Sequence, residues 1–138
     1  MPKQVRIPIL SGLLWLIVSM MVIAGEEDSL RNLVRILEPD SARVQALNAL
    51  SFQLWDTDPD SAIHFASEAR ELGFQVGYLE GAAYALKNMG MGYYTKGDYI
   101  SVLENWQQSL AVFDSIDDKV GVSNILNNLG TVYFNQGD

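Results

Sequence analysis

The stretch "KNMGMGYYTKGD" at positions 87–98 returns forty residues later as "NNLGTVYFNQGD", the last twelve residues of the chain. Asn88, Gly90, Tyr93, Gly97 and Asp98 reappear as Asn128, Gly130, Tyr133, Gly137 and Asp138, with Met89 matched by Leu129 and Tyr94 by Phe134. A weaker, earlier copy sets Leu50, Ser51, Leu54 and Trp55 against Met89, Gly90, Tyr93 and Tyr94 at an offset of 39. It then sets Ala62, Ile63, Ala66 and Ala69 against Val102, Leu103, Trp106 and Ser109 at forty, so one residue is missing from the first turn. A fixed period of this length restricts the fold severely. Each copy is one supersecondary unit with an apolar face it cannot bury alone, and a core arises only where neighbouring units stack.

The unit is helical. "SLRNLVRILEPD" spaces Leu30, Leu33, Val34 and Leu37 at three and four, one apolar face on a helix that Pro39 ends. "DSARVQALNALSFQLW" opens on an Asp40 or Ser41 cap and carries Val44, Leu47, Leu50 and Leu54 as a stripe. "DTDPD" breaks it, Pro59 suits the first turn of the next helix, and "SAIHFASEARELG" is expected to run until Gly73. The plan repeats through "YLEGAAYALKNMGMGYYTKGDY", "ISVLENWQQSLAVFDSI" and, after a "DDKVG" connector, "VSNILNNLGTVYFNQGD". The β-branched residues are dispersed and never alternate, so no strand is expected. Within a unit, a small residue on the first helix (Ser51, Gly90, Gly130) permits close approach, and Ala62 or Val102 on the second fills the facing gap. Rings such as Tyr93 and Trp106 are expected to plug the space between successive pairs.

On these residues the chain resembles the tetratricopeptide repeat family, whose helix-turn-helix unit carries Leu-Gly-x-x-Tyr on its first helix and Ala-Leu near the start of its second. The forty-residue spacing is longer than the family's usual length of about 34 and is similar to the long-linker variety of bacterial regulators. The resemblance implies an all-α fold of antiparallel helix-turn-helix repeats stacked as a right-handed α-solenoid: a leading helix at 26–40, repeats at 41–77 and 78–117, and the first helix of a third at 118–138. Ser51 in place of the small Gly, "DTDPD" in place of the Gly-Asp turn and Ser109 in place of a helix-B Ala depart from the pattern. The resemblance further implies that the first helices line a groove for a protein partner or extended peptide. Carried over position by position, that groove comprises Gln45, Asn48, Phe52 and Trp55, then Tyr84, Lys87, Met91 and Tyr94, then Asn124, Asn127, Thr131 and Phe134. The alternative for Trp55, Tyr94 and Phe134 is packing between neighbouring repeats. Phe52 and Met91 stand where chaperone-binding relatives need Asn, so recognition of a chaperone tail is not expected.

Chemistry-bearing residues are sparse, and no catalytic, cofactor or metal site is expected. His64, the only histidine, lies mid-helix with no nucleophile or paired carboxylate placed by spacing, and is read as a surface or half-buried structural residue. Asp56, Asp58 and Asp60 imitate the opening of a calcium loop, but Pro59 and Ser61 disturb it and its twelfth position is Ser67 rather than Glu. Turn and N-cap roles fit them better. Gly90 and Gly92 lie inside a helix without the strand of a phosphate loop, so close packing accounts for them. The chain lacks cysteine, which removes disulfides, thiolate zinc sites and thiol catalysis. From residue 25 onward seven Lys and Arg face 17 Asp and Glu, a net of −10 that repels nucleic acid and anionic lipid.

Residues 1–25 read as a signal peptide. "MPKQVR" is the basic start, "IPILSGLLWLIVSMMVIA" the apolar run, and "VIAG" provides a cut after Ala24. The rival is an uncleaved signal anchor, and with no Cys after the run there is no lipoprotein attachment. Export to the periplasm or cell envelope follows. The third unit stops at its turn, which suggests a truncated array with Leu126, Leu129 and Tyr133 lacking a partner helix and open to self-association. Exported arrays of the resembling kind imply a protein-interaction or ligand-sensing module without catalysis of its own. They also imply two alternatives: the sensor region of a membrane receptor whose histidine kinase, nucleotide cyclase or DNA-binding output lies beyond residue 138, or a small scaffold for envelope assembly. In a secreting host the mature N-terminus is expected at Gly25. N-terminal sequencing that finds Met1 retained on membrane-bound protein supports the anchor instead.

Overall fold

A computed structural model describes residues 25–137. The segment read as a signal peptide and Asp138, the last residue of the recurring block, lie outside the described residues. The described chain is all-helical: α1 (residues 25–36), α2 (Ser41–Leu54), α3 (Pro59–Gln75), α4 (Leu79–Lys96), α5 (Tyr99–Ser115) and α6 (Lys119–Asn135). No helix among the described residues is long and apolar enough to cross a membrane.

The turns obey a simple rule. Gly77, Gly97 and Gly137 have φ of 75°, 73° and 81°, and Asp117 has 55°, so a left-handed residue recurs every twenty positions from 77 to 137. Glycine tolerates this conformation without a Cβ penalty, and Asp is one of the few other residues that enters it readily. Of the five helices α2 to α6, four are capped by an aspartate, while α4, after Gly77, starts from Tyr78 with no side-chain cap bond. Asp40 accepts from Ala42 N at 2.9 Å, Asp58 from Ser61 N at 3.2 Å, Asp98 from Ser101 N at 3.2 Å and Asp118 from Gly121 N at 2.9 Å. The Ser61 hydroxyl and N–H hold the Asp58 carboxyl below its ordinary pKa, and Ser101 does the same for Asp98. The N-cap role expected for the aspartates of "DTDPD" therefore falls to Asp58, while Asp60 sits in the first turn of α3 and forms an ion pair with Lys96 at the far end of α4. Gly73 does not end its helix. It is buried inside α3, where an added Cβ would lie 3.0–3.2 Å from Ala82, so the small residue marks a close helix contact rather than a stop.

From α2 onward each helix packs on the next, and α4 contacts α2, α3 and α5. Neighbours run antiparallel: the Gly73 end of α3 meets Ala82 at the start of α4, whereas Gly92 near the end of α4 meets Ile63 at the start of α3. Helices α2 and α4 run in the same direction, since Gln45 bonds Tyr78 and Asn48 bonds Gly81 O at 2.9 Å. The α3 face toward its neighbours is a stripe of Ala62, Ala66, Ala69 and Gly73, all buried, which lets the backbones come close. Two apolar clusters form the core. One gathers Val34, Val44, Leu47, Leu50 and Leu54 beneath α1 to α3, and the other gathers Val102, Trp106, Phe113, Ile125, Leu129 and Val132 between α4 and α6.

Helix α4 is fitted on two sides. A Cβ at Gly90 would meet Trp106 Nε1 at 2.1 Å on the α5 side, and one at Gly92 would meet the Ile63 side chain at 2.7 Å on the α3 side. Residues two apart project about 200° apart on a helix, which is how one short motif serves two neighbours. Trp106 therefore seats against Gly90 within the α4–α5 pair and also borders the space toward α6, where such a ring was expected. Its indole N–H donates to Lys87 O at 2.9 Å, and one turn away Ser109 Oγ donates to Ala83 O at 2.8 Å. In the preceding pair Ser51 Oγ donates to Ala62 O at 2.8 Å, so a serine stands where the later units have glycine without forfeiting close approach. Leu129 also departs from expectation: it is buried against α5, while Leu126 and Tyr133 are exposed at 52% and 40%.

Gly90 and Gly130 occupy equivalent sequence positions in different surroundings, because nothing described lies within 4 Å of a Cβ at Gly130. Gly90→Ala is expected to destabilise the chain by about 1–3 kcal/mol through displacement of the Trp106 indole. Gly130→Ala is expected to stabilise it by up to about 1 kcal/mol through helix propensity alone. Urea midpoints of the two variants moving in the same direction would contradict this account.

Candidate functional site

The face shared by α2, α4 and α6 carries two adjoining hollows. The first, about 290 Å³, lies between α4 and α6 and is lined by Trp55, Lys87, Met91, Tyr94, Trp106, Asn128, Thr131 and Val132. The second, about 350 Å³, lies between α2 and α4 and is lined by Gln45, Asn48, Ala49, Phe52, Tyr78, Gly81, Tyr84, Lys87 and Asn88. Lys87 is common to both. At or just above the lower end of ordinary small-ligand pocket volumes, each is suited to one or two side chains.

Of the groove residues expected from sequence, Trp55, Lys87, Met91, Tyr94 and Thr131 converge on the first hollow, and Gln45, Asn48, Phe52, Tyr84 and Lys87 on the second. Asn124, Asn127 and Phe134 line neither hollow. Phe134 is 81% exposed among the described residues, whereas Tyr94 and Trp55 at its equivalent positions are half-buried. Tyr94 stacks on Trp106 with ring centroids 6.5 Å apart at 17°, meets Tyr99 edge-on at 5.8 Å, and its hydroxyl accepts from Asn135 Nδ2 at 3.2 Å. Trp106 was missed as a lining residue. It belongs to the second helix of its pair, but the notch at Gly90 draws its ring through to the α4–α6 side.

The amides divide into fasteners and free groups. Asn48 Nδ2 donates to Gly81 O at 2.9 Å, and Asn88 Nδ2 donates to Asn48 O at 3.2 Å, which ties α4 to α2. Asn48 thus spends its donors on the fold rather than offering them to a ligand. Asn128, forty residues after Asn88, lines the first hollow and makes no corresponding bond to α4.

Lys87 is the only charged residue lining either hollow. Its ammonium lies 5.8 Å from the Tyr84 ring centroid, a cation–π approach, and no carboxylate among the described residues is within ion-pair distance. Burial pushes its pKa below the ordinary lysine value. Tyr84, whose edge also meets Phe113 at 5.1 Å, has its pKa raised by burial and by the charges of Asp118 and Glu80. His64 is remote from both hollows; its side chain is 67% exposed and contacts Glu68 at 3.3 Å along α3. No group of three His, Cys, Asp or Glu among the described residues is arranged to hold a metal ion.

Asn88→Ala is expected to cost about 1 kcal/mol, the loss of one partly buried amide bond between helices. Asn128→Ala should stay within about 0.5 kcal/mol of the parent. Thermal or urea unfolding checks the contrast, and equal losses would show that Asn128 is also a structural fastener. No protein-family model, curated protein or solved structure matches the chain.

Proposed function

We propose that this chain is an exported tetratricopeptide-like helical repeat module, stacked as a solenoid, that holds a segment of a partner protein across α2, α4 and α6 and carries no catalysis of its own. Support for the repeat reading comes from the forty-residue recurrence together with consecutive antiparallel helix pairs and left-handed turns at twenty-residue intervals. The observation that carries the binding reading is the convergence of Trp55, Lys87, Met91, Tyr94 and Trp106 on one hollow beside a second that shares Lys87. Rigid rings with a cation at their centre are the composition of interaction hot spots, and a row of side-chain-sized hollows along parallel helices suits a peptide segment better than a compact ligand.

Selection of a displayed random peptide library against the purified chain, followed by NMR mapping of the winners, tests this. The expected outcome is shifts concentrated at Tyr84, Lys87, Met91, Tyr94 and the Trp106 indole N–H. Peptides that instead perturb the opposite face, at residues such as His64 or Gln107, would move the binding function off this surface. A library that yields no binder would remove it.

A further inference from the structure

Resting on that reading, we infer that the segment recognised is acidic and apolar in combination: an Asp or Glu set against Lys87, beside a bulky apolar side chain filling the hollow formed by Trp55, Met91, Tyr94 and Trp106. Charge is the first argument. The described residues hold 16 acids against seven bases, but no acid lines either hollow and the one charge there is a lysine. In a chain so acidic, two adjoining hollows with no acid in their lining and a single cation between them favour an anion.

The state of that cation is the second argument. Lys87 is partly buried against Tyr84 and has no carboxylate within ion-pair distance among the described residues; Arg31, Arg70, Lys96 and Lys119 each lie within 4 Å of one, and Arg35 and Arg43, which do not, line hollows that also hold acids, Asp28 in one and Glu68 and Glu71 in the other. A cation that has shed some of its water without gaining an intramolecular partner gains most from a ligand carboxylate, since the desolvation cost is already met by the fold. Burial lowers its pKa, in keeping with that missing counter-charge. The third argument is adjacency. Lys87 stands one turn before Met91 on α4, and the hollow beyond it is walled by rings, with the Asn128 amide at the rim free of helix-to-helix bonding. A carboxylate at Lys87 places a neighbouring side chain over the rings and its backbone near Asn128.

The test uses labelled synthetic peptides of a polar Ser-Gly-Thr background holding two variable positions, one drawn from Glu, Gln and Lys and the other from Leu, Trp and Ala. Fluorescence anisotropy with the purified chain is expected to rank Glu with Leu or Trp first, and either Glu→Gln or Leu→Ala should weaken binding about tenfold. Lys87→Met should abolish the preference for Glu over Gln, Lys87→Arg should retain it, and Lys87→Glu should invert it toward the Lys peptide. Circular dichroism of each variant shows whether the helices persist. Peptides from the random library that map to the α4 face yet show no acid preference would overturn this inference while leaving the binding surface intact. Absence of any peptide binding at that face would sink both. A Glu preference that survives Lys87→Met would place the counter-charge elsewhere and overturn the assignment to Lys87.

Discussion

The indole of Trp106 lies in the notch left by Gly90, with its N–H on the Lys87 carbonyl, and much of the rest depends on that one seating. It fixes the distance between α4 and α5, since no larger residue at position 90 leaves room for the ring. It sets their sliding register together with Ser109, whose hydroxyl finds Ala83 O one turn earlier. The same ring emerges on the far side of α4 as a wall of the hollow that Lys87 borders. A single aromatic therefore joins the core to the candidate site, and neither can be altered there without the other.

Most of the architecture was legible because the physics behind it repeats. The stripes at three and four, the Gly-Asp turns and the small residues opposite large ones each occur more than once, and a feature that recurs at forty residues is hard to mistake for chance. Gly73 was misread because glycine has two uses that look alike in sequence: it ends helices and it permits close helix contact. Only the presence of Ala82 opposite, with Gly77 four residues later in the left-handed conformation, separates them. Leu129 was expected to be open because its covering helix was sought after it in the chain. Its cover comes from the preceding pair instead.

The candidate site was half legible for a related reason. Positions on the first helix of each pair were assigned to a surface by analogy, and the central ones, Tyr84, Lys87, Met91 and Tyr94, border the two hollows as a set. What the assignment could not resolve is which polar side chains the fold consumes. Asn48 and Lys87 occupy equivalent positions, but the amide can bond the backbone of the next helix whereas the ammonium, on a longer stem, lies over a ring. Asn124, Asn127 and Phe134 fall outside, and α6 instead borders the first hollow through Asn128, Thr131 and Val132.

The amide ladder also bears on how such a chain can change its length. Asn48 and Asn88 meet only because they project toward each other from the facing sides of parallel helices, and one residue added within α4 ahead of Asn88 would swing its side by about 100°. The glycine notches would turn with it, Gly90 away from the indole and Gly92 away from Ile63. Growth of the chain is thus quantised: gain or loss of a whole helix pair keeps the facing register, whereas a single extra residue leaves it intact only in a turn. The one place where the sequence period is a residue short, between the first two helices of the repeat, falls in the turn at 55–58 and not inside a helix.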